Sequence, residues 1–231
     1  MHVLFLQPGY QKRVEHTSLI SVVPPLELAS CAALVRHRLL GTEVSIIDGN
    51  VLGLSVSELV EQAIALNPDV VVLHAATHTI KAAGRVAELL KQHATVVLLG
   101  SHGTALPAET LAEFAGITVI VRGEPEETLV EWLGVWQDPQ QWAHVTGLAF
   151  GNGEETVLTP NRQLLESLDS LPTPARDLLP NDLYSSPYAR RVTALRTTRG
   201  CPGQCTFCDS HLIYGCGTRT RTPAAVVDEF G

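Results

Sequence analysis

Five short runs rich in Val, Ile and Leu recur along the first half of the chain, and no other feature limits its fold so strongly. They are HVLFLQP at 2–8, EVSIID at 43–48, DVVVLHA at 69–75, TVVLLG at 95–100 and ITVIVRG at 117–123. Each is continuously apolar rather than alternating, as expected of a strand covered on both faces. Helical patterns separate them at 25–40, 58–66, 79–92, 107–115 and 124–137. Ser55 and Glu58 have the spacing of a capping box, and Pro107 suits a first helical position. Strands that alternate with helices are joined by right-handed crossovers. The pattern predicts an α/β fold over residues 1–145, a doubly wound five-stranded parallel sheet of flavodoxin-like or Rossmann-like order.

Such sheets bind ligands at the carboxyl ends of their strands, so the loops there supply the candidate contacts. They hold Pro8, Gly9 and Tyr10 after the first run, Asp48 after the second, Thr77 and His78 after the third, Gly100, Ser101, His102 and Gly103 after the fourth, and Arg122, Gly123 and Glu124 after the fifth. Glycine lets the backbone approach a bulky ligand, and helix starts offer free N–H groups. Each of these residues also has an ordinary reading as a turn former. Glu124 and Glu127 equally favour the start of their own helix. No G-x-G-x-x-G follows the first strand, which counts against a dinucleotide. His74, His78 and His102 stand at strand ends, where an imidazole serves as a ligand or as a loop hydrogen-bonder.

The remainder of the chain has a different texture. TGLAF-GNG-EETVLT reads as a hairpin, and a Pro-punctuated connector follows, so that 146–189 is expected to be hairpin and linker. VTALRTT at 192–198 reads as a strand, and Thr222 can cap a helix begun by Pro223. Between them Cys201, Cys205 and Cys208 fall at Cys-x3-Cys-x2-Cys spacing. Three thiolates on one loop suit a cubane iron–sulfur cluster with one iron left open. A zinc site wants four ligands and would need His211 or Cys216 as the fourth. Cys31 falls mid-helix on an apolar face and reads as core.

Composition narrows the classes. With 231 residues, 45% of them hydrophobic, and a net charge of −8, the chain is globular and not disordered. No apolar run approaches the roughly 20 residues of a membrane span, and MHVLFLQPGY lacks the basic start of an export signal. A cytoplasmic protein with no membrane and no nucleic-acid partner is expected, although 190–231 is locally basic through Arg190, Arg191, Arg196, Arg199, Arg219 and Arg221.

TTRGCPGQCTFCD resembles the cluster loop of the radical S-adenosylmethionine (SAM) enzymes, with Phe207 in the aromatic position before the last cysteine. The resemblance implies that Cys201, Cys205 and Cys208 ligate a 4Fe-4S cluster, that SAM chelates the open iron and is cleaved to an adenosyl radical, and that Phe207 contacts SAM. With the upstream sheet, 24–50, 100–111, 121–129 and 168–180 are similar to the cobalamin-binding subgroup of that family. This implies a cobalamin (B12)-binding domain at 1–145 with the strand-end residues above as cobalamin contacts, and a methyltransferase or related radical enzyme acting on a small-molecule substrate. The reductant would be a protein such as flavodoxin or ferredoxin. The Asp-x-His-x-x-Gly signature is absent, so cobalt is expected to be free of a histidine ligand.

Two other readings stay open. One is a cobalamin- or flavin-binding electron-transfer module without turnover. The other is a tRNA methylthiotransferase-like radical protein, against which only Cys31 precedes residue 201. Only 23 residues follow Cys208, too few for a partial (β/α) barrel. Residues 190–231 are therefore expected to be the start of a radical SAM domain, in a fragment that does not cleave SAM alone.

Overall fold

A computed structural model describes residues 1–9, 22–153, 155–203 and 205–230. The expected parallel strands are β1 (His2–Gln7), β2 (Glu43–Asp48), β3 (Val70–His74), β4 (Thr95–Leu99) and β5 (Val119–Val121), side by side in the order β2-β1-β3-β4-β5. β1 is central and fully buried from Val3 to Leu6. Its side chains divide between two layers, as successive strand residues must. Val3 and Phe5 join the core beneath α1 (Leu26–Arg38) and α7 (Pro125–Leu133), whereas Leu4 and Leu6 join the core beneath α3 (Val56–Ala65), α4 (Ile80–Leu90) and α6 (Pro107–Glu113). The capping box forms at α3, where Ser55 Oγ accepts from the Glu58 amide at 3.3 Å and the Ser55 amide donates to Glu58 Oε2 at 2.8 Å. Cys31 is buried in the core. Two strand-end loops contain short helices that the sequence reading did not separate, α2 (Gly49–Leu52) and α5 (Ser101–Ala105).

The hairpin is part of the sheet. β6 (Leu148–Asn152) pairs antiparallel with β5, and β7 (Glu155–Leu158) pairs with β6, giving seven strands. The reason is backbone satisfaction, since without β6 the outer side of β5 would carry unpaired N–H and C=O groups. The connector that follows straps back across α1. Leu168, Ala175, Leu179 and Tyr184 are buried, the Ala175 amide donates to Ala29 O at 3.0 Å, and Arg36 grips Asp177 with two bonds of 2.6 and 3.0 Å.

The strand expected at 192–198 shortens to β8 (Thr198–Arg199), paired antiparallel with β9 (Arg219–Thr220). Among the described residues no strand lies beside 192–197. Its carbonyls are taken elsewhere: Ala194 O accepts from the Arg176 guanidinium at 2.7 Å, and Thr197 O from the Arg221 amide at 2.9 Å. α8 (Ser210–Tyr214) follows the cysteines, and α9 (Pro223–Phe230) is capped by Thr222, whose Oγ1 accepts from the Ala225 amide at 3.3 Å. Among the described residues, no helix is long and apolar enough to cross a membrane.

Candidate functional site

In the order β2-β1-β3-β4-β5 successive crossovers diverge between β1 and β3, and a doubly wound sheet opens there at its carboxyl edge. The structure has a cavity of about 480 Å³ at this point, walled by Gln7 and His74 from the two strand ends, Leu26 and Glu27 from the start of α1, and Arg196 and Thr198 from the later segment. Its size falls within the range of small-molecule sites. A polar chain runs along one wall. His74 Nδ1 lies 3.2 Å from Gln7 Oε1, and His74 Nε2 lies 3.6 Å from Glu27 Oε1. Glu27 Oε2 accepts from the Tyr214 hydroxyl at 2.5 Å, whose oxygen accepts from Arg196 at 3.1 Å. Arg196 and Arg199 lie over the Tyr214 ring, 5.1 and 5.7 Å from its centroid. Burial and the neighbouring Glu27 carboxylate push the Tyr214 phenol up, so it stays protonated and donating.

The strand-end residues singled out in the sequence are placed around this edge in several ways. Gly100 takes φ +110°, and a Cβ there would collide with the Ala75 carbonyl, so the β4–α5 turn requires glycine. Beside it His102 Nδ1 lies 3.2 Å from Thr77 Oγ1, joining the loops after β3 and β4. Ser101 and Gly103 lie in α5, Gly103 tight against Ile120. Thr77 and His78 are exposed and Pro8 is buried. Gly9 packs where a Cβ would stand 3.1 Å from the Gly49 and Leu54 carbonyl oxygens, and Gly123 has φ +74°. Tyr10 lies outside the described residues.

Three of the candidates have side chains turned to internal partners, and none of the three walls the cleft. Asp48 Oδ1 accepts from the Asn50 and Val51 amides at 3.0 and 3.3 Å, and Oδ2 accepts from the Tyr184 hydroxyl at 3.1 Å. Burial raises the Asp48 carboxyl despite these bonds. Arg122 donates to Leu148 O at 3.2 Å, to Asn161 Oδ1 at 2.8 Å and to Thr159 O. Glu124 is taken by the cysteine segment.

That segment is bolted to the sheet domain through β8 and β9. Arg199, 4% exposed, meets Glu124 Oε1 and Glu126 Oε2 at 3.1 Å each, and also Glu126 Oε1. Arg219 meets both oxygens of Glu124 at 2.9 and 3.0 Å, and the Leu165 amide donates to Glu124 Oε2 at 2.8 Å. Burial alone would raise Glu124, but Arg219, the Leu165 amide and Arg199 together hold it below the usual carboxylate range. Burial likewise opposes the Arg199 charge, and Glu126 and Glu124 more than offset it.

From this frame the cysteine loop projects. Gly200 takes φ +87°, and a Cβ there would collide with the Gly217 carbonyl. The Gly203 amide donates to Cys201 Sγ at 3.4 Å, and a Cβ at Gly203 would stand 3.4 and 3.7 Å from the Cys201 and Cys205 sulfurs, so two thiols converge on one glycine. The Cys208 amide donates to Cys205 O at 3.1 Å. Cys201 and Cys205 are exposed, Cys208 is half-buried and Phe207 is 90% exposed. Among the described residues no three His, Cys, Asp or Glu side chains are already gathered as a metal site. Three thiolates on one short loop suit a cluster that gathers its own ligands better than a closed four-ligand zinc site. His211 and Cys216 are exposed.

Sheet order, switch-point cavity and strand-end loops define a ligand-binding α/β domain. Residues 17–133 match the family model described as B12 binding domain, and the chain belongs to that family. It is 31% identical over 235 residues to an uncharacterised methyltransferase of Pyrococcus horikoshii, covering 99% of this chain and 50% of that protein. It is also 31% identical over 236 residues to the anaerobic magnesium-protoporphyrin IX monomethyl ester cyclase of Cereibacter sphaeroides, covering 99% and 38%. Thus it spans half or less of the length of these relatives. Among solved structures, the cobalamin-dependent SAM radical enzyme OxsB with aqua-cobalamin and SAM bound superposes with TM-score 0.79 at 18% identity, over 99% of this chain and 31% of that one. At that identity the likeness speaks for the fold.

The cysteines and His74 are legible in the sequence, whereas Gln7 and Glu27 emerge as cleft residues only in the fold. Glu27 looks like any acid in a first helical turn. Its one local signal is the place of PPLELAS ahead of the helix after β1.

Proposed function

We propose that this chain is the cobalamin-binding portion of a radical SAM methyltransferase or related radical enzyme, joined to the cluster loop of its catalytic domain. The observation that carries the reading is the docking of that loop. A Cys-x3-Cys-x2-Cys segment is fixed by Arg199 and Arg219 to Glu124 and Glu126 of a B12-family domain, with Tyr214 reaching back from α8 to the switch-point cleft. The residues present fit both groups. The cleft has a buried carboxylate oxygen, Glu27 Oε1, with no hydrogen-bond partner among the described residues, and the loop supplies three thiols.

In this reading Cys201, Cys205 and Cys208 hold a 4Fe-4S cluster, and Phe207 lies against SAM. The strand-end loops with Gly9, Gly100 and His102 lie along cobalamin. When bound, the cluster and SAM supply one-electron carbon–sulfur cleavage, and cobalamin supplies a transferable methyl group. The chain's own residues orient: Arg199 holds the loop entry, and Gly9 and Gly100, packed against neighbouring backbone carbonyls, fix the strand-end turns on the cobalamin side. Electrons would come from a protein such as flavodoxin or ferredoxin, and the substrate is a small molecule.

Anaerobic reconstitution tests this. About four iron and four sulfide per chain are expected, lost in Cys201→Ala, Cys205→Ala or Cys208→Ala and kept in Cys31→Ala or Cys216→Ala. Hydroxocobalamin should bind in a spectrophotometric titration. Zinc without acid-labile sulfide, or a preference for flavin over hydroxocobalamin, would overturn the reading.

A further inference from the structure

The cleft has two walls, drawn from two parts of the chain. One belongs to the sheet domain and includes Gln7, His74 and Glu27; the other is the run 194–198 that leads into the cysteine segment. A ligand lodged between them touches both, so it favours the arrangement in which the second wall is in place. That wall has fastenings of its own, since the Arg176 guanidinium holds Ala194 O at 2.7 Å and the Arg221 amide holds Thr197 O at 2.9 Å. α8, which follows the cysteines, does not line the cleft. Tyr214 joins it to both walls, donating to Glu27 Oε2 at 2.5 Å and accepting from Arg196 at 3.1 Å. On its other side the Tyr214 carbonyl accepts from Arg219 at 2.9 Å, and the next carbonyl, Gly215 O, accepts from the Cys201 amide at 3.4 Å.

We propose that Tyr214 is a positioning residue that couples occupation of the cleft to the placing of α8 and the cysteine loop. This rests on the cobalamin reading above. Because the phenol bonds to Glu27 in one wall and Arg196 in the other, both of its bonds persist only while the two walls keep their places. A cofactor that holds the walls therefore holds Tyr214, and through it α8 and the carbonyl that meets Cys201. Without the hydroxyl, Arg176 and Arg221 still keep 194–198 in place, but α8 is cut off from the cleft. The coupling is reciprocal: a well-placed α8 raises the affinity of the cleft by the factor with which the cofactor steadies α8.

The test needs no turnover and reads amide hydrogen exchange over 209–217, with and without saturating hydroxocobalamin. Cys201, Cys205 and Cys208 are replaced by serine throughout, so that no loop thiol takes the cobalt. In that parent chain the cofactor should slow the exchange about fivefold or more. Tyr214→Phe should bring the ratio close to one while hydroxocobalamin still binds in a spectrophotometric titration. A residue that merely stabilised α8 would speed exchange with and without the cofactor alike and leave the ratio unchanged. If Tyr214→Phe by itself undocks α8, seen as cofactor-free exchange as fast as in Arg199→Ala, the link is cut from the cleft side instead. Glu27→Ala should then lose the ratio, and Glu27→Gln, which keeps an acceptor for the phenol, should retain it. A ratio that survives the cut, or one near one in the parent chain despite binding, would overturn the coupling and leave the cobalamin reading standing. Failure of the parent chain to bind hydroxocobalamin would overturn both.

Discussion

The sheet domain and the cysteine segment are held together by different forces. In the sheet, Val3 to Leu6, Val70 to Leu73 and Val96 to Leu99 are sealed from solvent, and the helices on both faces lie against them. In the cysteine segment from 194 to 230, Ile213 is the lone apolar side chain buried among the described residues, while Phe207, Val227 and Phe230 are largely exposed. What fixes this segment is charge: Arg199 and Arg219 on Glu124 and Glu126, and Arg176 and Arg221 on Glu229. Apolar burial is non-directional and tolerates small shifts, whereas a paired guanidinium fixes position and orientation together. The first region can therefore fold by its own burial, while the second is placed largely by ion pairs, of which those of Arg199 and Arg219 are made on carboxylates that the first supplies.

The sharpest way to break this contrast is to remove one charge. Arg199→Ala leaves the buried Glu124 and Glu126 undercompensated and should cost about 3–5 kcal/mol in the docking of the cysteine segment. Urea unfolding should then show the segment leaving ahead of the sheet, with faster alkylation of Cys208. A single unchanged transition would mean that the two regions do not depend on this pair. Within the sheet domain, Gly100→Ala forces a side chain into φ +110° and against the Ala75 carbonyl. A loss of about 1–3 kcal/mol is expected in thermal unfolding, with hydroxocobalamin affinity falling and alkylation of the loop thiols unchanged.

Acid should separate the regions as well. Glu124 titrates below the ordinary carboxylate value in the folded chain, so its contribution is complete above that ordinary value and is lost as pH falls through the lower, folded one. The stability gap between wild type and Glu124→Gln should accordingly shrink on descending from about pH 4.5. A gap constant down to pH 2 would show that Glu124 is not the responsive group. The smallest effect is expected from Ser55→Ala. Loss of this exposed cap should lower overall stability by about 1 kcal/mol and leave thiol reactivity untouched, as measured by chemical denaturation and alkylation in parallel.

What could be read locally and what could not follow the same division. The strands, the helices and the capping box at Ser55 each announce themselves within a few residues, because period and cap chemistry are local. The spacing of Cys201, Cys205 and Cys208 is local too. By contrast, nothing near Glu124 in RGEPEE signals that its carboxylate belongs to Arg199 and Arg219, more than seventy positions along the chain. Asp48 stands beside glycine at a strand end and looks like a ligand contact, yet Tyr184, from the strap, claims it. Glu27 was invisible for the converse reason, since its partners His74 and Tyr214 converge on it only once β3 and α8 are in place. The hairpin was recognisable as a hairpin, but its union with β5 depends on which sheet edge lies open.

The crowding of Gly200 against Gly217 has a mechanical consequence. With the Cys201 amide on Gly215 O and the Gly217 amide on Cys201 O, both at 3.4 Å, the two ends of the cysteine loop are pinched into a neck. α8, inside the neck, is tied to the outside through Tyr214 on Glu27, but the tip between Cys201 and Cys208 is not, so extra residues there would alter the reach of the thiols without changing the register of Thr198 on Thr220. Lengthening an already closed loop costs only slowly with added residues. The neck makes the tip of the loop an exchangeable cartridge, open to redesign in length while α8 and the frame behind it stay the same.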